Sequence, residues 1–255
     1  MWTIRQEQTE AFRRYHLKKF EDQMVVHLKT FAAQHWKAIG EQAGREAIRW
    51  GIEQAKKYGF TNRGPVRFYI ELMFMLGGFF DTDPQCAWAI QILRDPANID
   101  QMTRAERLHQ ALLAYWGAVA GPENQFLFAA LRKLSKAKAE DYVVIGVPVE
   151  ECLLNGLKDL YPQKCEYVGG RALKLLLSRT FELANRYGFS STEDLAMMTA
   201  LTFFLGHGCT GDPLYGWIGR RLADSRLDSA KKRSAELKAK AMLYLKHSLE
   251  GNEAA

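Results

Sequence analysis

Apolar residues recur along most of this chain at intervals of three or four positions, the spacing of one face of an α-helix. The first stripe predicts a long helix over residues 4–36 and consists of Phe12, His16, Phe20, Met24, Leu28 and Phe31. Further stripes predict helices over residues 41–57, 65–77, 84–95, 101–118, 149–161, 171–186, 191–206, 213–223 and 227–248. No segment alternates with period two for long, so the predicted fold class is all-α.

One segment has the composition of a β-strand. It is YVVIGVPV, residues 142–149, which is rich in β-branched side chains. Its Gly and Pro disfavour a strand interior, and an extended connector between the two halves of the chain is the better interpretation.

The second half of the chain repeats the first at a constant offset of 129 residues. Ten of the 31 positions from 58 to 88 are identical to those from 187 to 217 without a gap. Weaker agreement continues outward, so each half is predicted to be one repeat of about a hundred residues. We expect an N-terminal repeat with its long leading helix (1–120), a connecting helix and extended linker (121–148) and a C-terminal repeat (149–255). The two repeats are predicted to pack as one compact domain about a pseudo-two-fold axis.

Two of the repeated positions predict where helices end. Gly59 and Gly188 each follow a helical turn that contains Lys or Arg, and each is followed by Phe. A glycine in the left-handed conformation, with an apolar residue after it, is a common helix terminus. After the second of these stops, Ser190 and Glu193 have the spacing of a capping box that would begin the next helix.

A second pair of repeated positions predicts where one helix ends and the next begins. Gly77 and Gly206 end strongly apolar helices, and Asp83 and Asp212, each followed by Pro, are predicted N-caps of the next ones. Five residues after each aspartate a tryptophan enters the new helix, where it is predicted to pack against the neighbouring repeat: Trp88 and Trp217.

The segment between Gly77 and Asp83 also contains an aspartate that no cap requires. Asp81 and Asp83 resemble a pair of metal-binding carboxylates, but the repetition of Asp83 favours a capping role for that residue. Asp81 is Thr in the second copy, which instead introduces His207 and Cys209. If a pseudo-two-fold axis relates the halves, Asp81 and His207 line equivalent loops of one groove. The alternative is that His207 is only a local hydrogen bonder.

Motifs for known catalytic chemistry are absent from the sequence. Glu106 and His109 form one E-x-x-H motif, but a di-metal site needs a second, and the aligned positions lack it. No H-E-x-x-H, G-x-S-x-G or Walker motif occurs. We therefore expect no catalytic residues, no metal and no cofactor, with Cys–His chemistry at His207 and Cys209 as the open alternative.

Composition narrows the class of protein. The chain has 255 residues, 47% of them hydrophobic and 25% charged, as in globular proteins. No apolar run approaches the roughly 20 residues that span a bilayer, and the N-terminus does not resemble a signal peptide, so a cytoplasmic protein without membrane association is predicted. The cysteines are dispersed, which favours reduced thiols that fill the core: Cys86, Cys152, Cys165 and Cys209.

Positive charge is concentrated near the C-terminus. The net charge is +6, and residues 220–246 contain nine basic and three acidic side chains. A surface for phosphate or nucleic acid would use Arg220, Arg221, Lys231, Lys232 and Arg233. No aromatic-interleaved or Gly-rich motif accompanies these residues, so nucleic-acid binding is disfavoured and a solvated helix face is the better interpretation.

Several motifs together resemble a known family. They are IRQEQTEAFRRYHLKKFEDQMVVHLKTF, the repeated YGF, YIELMFMLGGFFDTDP and LGHGCTGDPLYGW. The chain resembles an uncharacterised family of bacterial all-helical proteins whose genes tend to lie beside type VI secretion spike, PAAR or polymorphic-toxin genes. This resemblance implies a small non-enzyme that binds a toxin or effector encoded nearby, either as its immunity protein or as its chaperone or adaptor.

The basic charge of the chain disfavours immunity to a nuclease, because such proteins usually present an acidic face. The missing signal peptide disfavours a toxin that acts in the periplasm. The sequence therefore predicts a cytoplasmic protein-binding module, with immunity to a cytosolic toxin or effector loading as its role. The alternatives are a helical enzyme centred on Asp81, His207 and Cys209, and a phosphate or nucleic-acid binder through residues 220–246.

Overall fold

The computed structural model describes residues 6–97, 100–138, 141 and 144–253. Within these ranges the fold is all α, as predicted, with no strand. None of the described helices is long and apolar enough to cross a bilayer. The α-helices are α1 (Gln6–Phe31), α2 (Ala33–Lys56), α3 (Arg63–Leu76), α4 (Ala87–Arg94), α5 (Gln101–Val119), α6 (Gln125–Lys136), α7 (Val149–Leu160), α8 (Pro162–Val168), α9 (Gly170–Arg186), α10 (Thr192–Leu205), α11 (Gly216–Leu222) and α12 (Ala230–Glu253). Short 3₁₀ turns precede α4, α6 and α11: Pro84–Cys86, Pro122–Asn124 and Pro213–Tyr215.

The leading helix is shorter than the apolar stripe predicted. Helix α1 ends at Phe31, where Ala32 leaves the helical region with φ −131° and ψ 48°, and α2 begins at once. A second break lies within α2 at Gly40, whose φ of 80° and ψ of 167° are not helical. The residues between these two breaks therefore form a short helical segment of their own, which hydrophobic periodicity alone does not distinguish from a continuous helix.

The apolar stripe of α1 is buried only in its C-terminal half. Met24 and Leu28 are 2% and 0% exposed, whereas Phe12 is 62% exposed. Every side chain described between residues 8 and 19 is exposed, and burial begins at Phe20. Helices α2 and α3 pack against the C-terminal half of α1, so its first turns extend beyond the elements that would cover them.

The repeated YGF motifs end α2 and α9 with the same hydrogen bonds. Gly59 and Gly188 both have φ 73°, a conformation that glycine adopts without strain. The N–H of Phe60 donates to the carbonyl of Ala55 at 3.1 Å, and the equivalent bond of Phe189 is 3.0 Å long. These six-residue bonds define a Schellman terminus, in which the buried Phe folds back on the helix.

Helix α10 begins one residue later than the capping box predicts. The N-cap is Ser191, whose hydroxyl accepts the N–H of Asp194 at 3.1 Å. Ser190 therefore lies outside the helix, and Glu193 falls one position too early for the reciprocal bond of a capping box. Its carboxylate pairs instead with Lys238 of α12.

The buried side chains of the two halves interleave. The larger hydrophobic cluster runs from Met24 to Leu237 and includes Ile48, Phe60 and Leu72 together with Phe189 and Met198. A second cluster places Tyr115 and Val119 beside Tyr161, Leu177 and Phe203. All four cysteines are free thiols and buried. Both clusters draw on both halves of the chain.

The segment between the halves is partly helical. Helix α6 occupies residues 125–136, and residues 144–148 form a non-helical connection to α7. Tyr142 and Val143, which belong to the predicted connector, lie outside the described residues.

Candidate functional site

Two turns meet at the centre of the structure, and we call them the junction: residues 77–83 and 206–212. Each turn ends in an aspartate that caps the following 3₁₀ turn. Asp83 Oδ1 accepts the N–H of Gln85 at 2.8 Å, and Asp212 Oδ1 accepts the N–H of Leu214 at 2.9 Å. Both aspartates have φ near −75° and ψ of 124°, the extended conformation usual for an N-cap.

The second oxygen of each aspartate bonds across the junction. Asp83 Oδ2 accepts the backbone N–H of His207 at 2.7 Å, and Asp212 Oδ2 accepts that of Gly78 at 2.6 Å. The two carboxylates are 1% and 2% exposed. Hydrogen bonds to a buried carboxylate are short and strong, so these two bonds hold the turns together.

Glycine is required where the two turns approach most closely. Gly77 has φ 94° and Gly206 has φ 97°. A Cβ atom on Gly77 would lie 2.5 Å from the carbonyl oxygen of Leu205, closer than any carbon can approach. The backbones can therefore meet only because this position has no side chain.

Asp81 is held by a tyrosine of the first helix terminus. It is 5% exposed, and its Oδ2 accepts a hydrogen bond from the Tyr58 hydroxyl at 2.8 Å. Burial and the nearby charge of Asp81 raise the pKa of Tyr58 to about 12, so the phenol remains a donor at neutral pH. Asp81 thus links the junction to the end of α2.

His207 lies in the same junction as Asp81. Its Nε2 is 3.0 Å from the hydroxyl of Thr82, and burial lowers the pKa of the imidazole. The charge of Asp83 opposes this shift, and that of Arg179 adds to it. The imidazole therefore bonds across the junction to a residue 125 positions away in the chain.

Cys209 faces the interior. It is 1% exposed, and burial, followed by the charges of Asp212 and Asp83, raises the pKa of its thiol. A nucleophilic cysteine needs the opposite shift, because the thiolate is the reactive form. Among the described residues no three His, Cys, Asp or Glu side chains form a cluster able to hold a metal ion. The enzyme alternative centred on Asp81, His207 and Cys209 stays a prediction of the sequence.

The two repeated tryptophans pack against tyrosines of their own halves. The ring centroid of Trp88 lies 5.7 Å from that of Tyr115, and Trp217 lies 5.9 Å from Tyr244. Trp88 also packs against the second hydrophobic cluster, which contains mostly residues of the other half. Neither indole N–H has a hydrogen-bond partner within the described residues, although both are buried.

The candidate basic surface is partly neutralised. It consists of Arg220, Arg221, Lys231, Lys232 and Arg233. Lys232 pairs with Asp228 at 2.9 Å, and Arg221 reaches Asp224 at 3.8 Å. Arg233 donates to two backbone carbonyls, which fixes it against the protein. Of these five described side chains, only Arg220 and Lys231 are exposed without an ion pair, which weakens the case for a phosphate surface.

A large cavity lies between α6, α7, α10 and α12, and we call it the four-helix cavity. Its volume is about 1190 Å³, slightly above the roughly 300–1,000 Å³ of common small-molecule pockets. Its walls are mainly aliphatic and aromatic and include Leu127, Leu153, Leu157, Met197, Phe204 and Leu245. An apolar cavity of this size is a candidate binding site.

Two polar groups without partners belong to residues that line this cavity. Thr199 is 2% exposed, and its hydroxyl has no hydrogen-bond partner within the described residues; the same holds for the indole N–H of Trp217. At the rim, Lys238 pairs with Glu193, and Lys136 is exposed in the last turn of α6.

The sequence interpretation missed the four-helix cavity. Its position depends on how four separate helices pack, which hydrophobic periodicity does not determine. One signal was present: α10, TEDLAMMTALTFFL, is apolar on all sides after its first turn. A helix of that kind needs apolar surroundings on more than one side, and here one side faces the core and another the cavity.

Helix α1 presents an exposed apolar face, which we call the α1 face: Phe12, Tyr15 and Val26. These side chains are 62%, 61% and 70% exposed. The helical spacing places them within about 60° of one another around the helix axis. An uncovered aromatic pair on an isolated helix is a candidate interaction surface.

Comparisons of the chain with protein-family models, with curated proteins and with solved structures find no match.

Proposed function

We propose that this chain is a non-enzymatic protein-binding module linked to a bacterial secreted toxin, as its immunity protein or as an effector chaperone or adaptor. The α1 face is the observation that carries the proposal. The link to a toxin comes from the family resemblance of the sequence, and a cytoplasmic location stays a prediction.

The composition of the α1 face favours a protein partner. Aromatic side chains provide much of the binding energy in protein interfaces, because they bury a large area at a small cost in conformational entropy. Phe12 and Tyr15 are three residues apart, so both rings can enter one groove of a partner. This is the arrangement by which an amphipathic helix anchors itself in a binding groove.

The charges around the α1 face indicate the chemistry of the partner. Four basic side chains and one acidic one, Glu10, lie between residues 10 and 19, and the basic ones are Arg13, Arg14, Lys18 and Lys19. All of them are exposed. Complementary charge speeds association and orients the two proteins, so we expect the partner's groove to be apolar with an acidic rim.

We further propose that the module consists of two repeats packed about a pseudo-two-fold axis. Helix bounds support this organisation: α3 covers residues 63–76 and α10 covers 192–205, which are 129 residues apart at both ends. Glycine conformations agree at the same offset. Gly40 and Gly169 both have φ 80°, and the helix-ending glycines of the two YGF motifs both have φ 73°.

Contacts between the halves also support the axis. Asp83 accepts the N–H of His207, and Asp212 accepts the N–H of Gly78. At the offset of 129 residues Asp83 corresponds to Asp212 and Gly78 to His207, so the two hydrogen bonds are equivalent. The 3₁₀ turn 213–215 packs on α2, and the turn 84–86 packs on α9 in the same reciprocal way.

Co-expression with the products of the adjacent genes tests the proposed function. We expect one of them to co-purify with the full chain and to form a complex at micromolar concentration. The double variant Phe12→Ser/Tyr15→Ser should release that partner while the protein stays folded, because both side chains are exposed. If no neighbouring gene product binds at micromolar concentration, the proposal fails.

A further inference from the structure

We propose that α6 is a displaceable lid, and that an amphipathic helix of another protein takes its place on α7, α10 and α12. The surface of these three helices that faces the four-helix cavity is called the helix groove. The residues that line the cavity all lie between positions 127 and 248, so the groove is separate from the α1 face. The inference therefore goes beyond the proposed function and does not depend on it.

The structure shows what kind of element the helix groove holds. Helix α6 lies against α7 and α12, and three of its leucines line the cavity: Leu127, Leu131 and Leu134. Their spacing of four and three residues places them on one face of the helix. Beside this face, Lys133 Nζ donates to the backbone carbonyl of Asp159 at 2.6 Å. The occupant that fits the groove is therefore an amphipathic helix with a basic side chain next to its apolar face.

Helix α6 fills the helix groove incompletely. A cavity of about 1190 Å³ remains between α6 and the other three helices, and among the described side chains of α6 only Ala130 is buried. Protein interiors are normally close-packed, with few voids larger than a water molecule. Larger apolar side chains at the three leucine positions would fill this space. A helix with Phe, Trp or Met at those positions should therefore bind the groove better than α6 does.

The backbone at the start of α6 is strained. Glu123 and Asn124 have φ of 50° and 60°, a left-handed conformation that is costly for residues other than glycine. The side chain of Asn124 accepts the indole N–H of Trp116 at 2.9 Å, which helps to hold this turn. When α6 leaves the groove, both residues can return to an unstrained conformation. The relief of strain offsets part of the contacts that displacement breaks.

Small side chains keep the helix groove open. Three of them line the cavity: Gly156, Ala196 and Ala200. The residues 129 positions earlier are larger: His27, Arg67 and Glu71. Glu71 Oε1 lies 2.6 Å from His27 Nε2 and 2.8 Å from Arg67 Nε. The hollow between α1 and α3 at this place has a volume of only about 330 Å³. The first half thus fills with its own side chains the space that the second half leaves for a helix.

Fluorescence anisotropy of labelled peptides with the full chain tests the inference. The probe is a peptide of residues 122–138 with Phe at the three leucine positions, and the comparison peptides have Leu or Ser there. We expect the Phe peptide to bind the native protein and the Leu peptide to bind at least about 10-fold more weakly, because it buries less apolar surface. The Ser peptide should not bind. The proposal is overturned if the Phe peptide does not bind at about 100 μM, or binds no more tightly than either comparison peptide.

Two variants of the protein locate the site and test displacement of the lid. Ala200 is half-buried and lines the cavity, so Ala200→Phe should weaken binding of the Phe peptide at least about 10-fold in a protein that still unfolds cooperatively. Glu123→Gly relieves strain only while α6 is in place, so it should raise the melting temperature and weaken peptide binding about 3-fold. Unchanged peptide affinity in a folded Ala200→Phe variant contradicts the site, and unchanged affinity in Glu123→Gly contradicts displacement of α6.

A variant of the α1 face separates this inference from the proposed function. Phe12→Ser/Tyr15→Ser should bind the Phe peptide with the affinity of the native protein, because neither residue lines the cavity. Loss of peptide binding in this variant would contradict the assigned groove. The peptide experiment requires no product of an adjacent gene, so its failure can be told apart from failure of the proposed function.

Discussion

The carboxylate of Asp83 accepts a hydrogen bond of 2.7 Å from the backbone N–H of His207, although the two residues are 124 positions apart in the chain. The same carboxylate caps the 3₁₀ turn that follows it. One side chain therefore begins a local turn and also holds the opposite half of the protein. Asp212 does the same in the other direction through Gly78.

Replacement of Asp83 should cost much more stability than loss of a helix cap. Asp83→Ala removes the cap and leaves the partly buried N–H of His207 without its acceptor, so we expect a loss of at least about 3 kcal/mol in the free energy of unfolding. Asp100→Ala is the control, because Asp100 is an exposed cap whose carboxylate accepts hydrogen bonds from the N–H and hydroxyl of Thr103, and it should cost about 1 kcal/mol. Denaturant titration measures both. Equal losses would mean that the cross-junction bond contributes nothing.

The close approach of the two turns should make Gly77 intolerant of any side chain. Gly77→Ala must accommodate both a positive φ and a Cβ 2.5 Å from the carbonyl oxygen of Leu205. Gly40→Ala has only the positive φ to accommodate, since no atom lies within 4 Å of its Cβ. It should lower the free energy of unfolding by about 1–2 kcal/mol. We expect Gly77→Ala to be more damaging by a further 1–3 kcal/mol. Thermal unfolding of the two variants decides, and similar melting temperatures would refute the close packing of the junction.

Stability should depend on the protonation of Asp212. Burial raises the pKa of this carboxyl to about 6, whereas it is near 3.9 in an unfolded chain. Between these values the native protein holds a proton that the unfolded chain has lost. The stability that Asp212 contributes is therefore present below about pH 4 and is lost as pH rises to 6, by up to about 3 kcal/mol.

Comparison with Asp212→Asn isolates this effect, because the contributions of the other titrating groups largely cancel in the difference between the two proteins. The free energy of unfolding of the native protein minus that of the variant should fall between pH 4 and pH 7. A difference that is constant, or that increases with pH, would show that the pKa of Asp212 is not raised.

Features that depend on neighbouring residues could be predicted from the sequence. A glycine followed by Phe is enough to end a helix at Gly59, because the bonds that form there join residues no more than five positions apart. The cap at Asp83 is equally local. The capping box at Ser190 was displaced by one residue because Ser191 offers the same hydroxyl, and short-range pattern alone does not choose between them.

Features that depend on packing could not be predicted in the same way. Phe12 and Met24 belong to one periodic stripe, yet one is exposed and the other buried, because the covering helices reach only the second half of α1. The acceptor of the His207 N–H and the walls of the four-helix cavity likewise come from distant parts of the chain. Asp81 and His207 both lie in the junction, and their hydrogen-bond partners, Tyr58 and Thr82, could not be read from the sequence either.

The affinity of the co-purifying partner for variants of the α1 face tests the central proposal most directly. Phe12→Ser/Tyr15→Ser should weaken binding at least about 100-fold, since each buried aromatic anchor contributes on the order of 2 kcal/mol. Val144→Ser/Ile145→Ser is the control, because these side chains are 57% and 101% exposed and lie outside the α1 face. Both variants should keep the melting temperature of the native protein. Loss of binding in the first variant alone is the predicted result, and unchanged affinity in that variant would contradict a protein-binding role for α1.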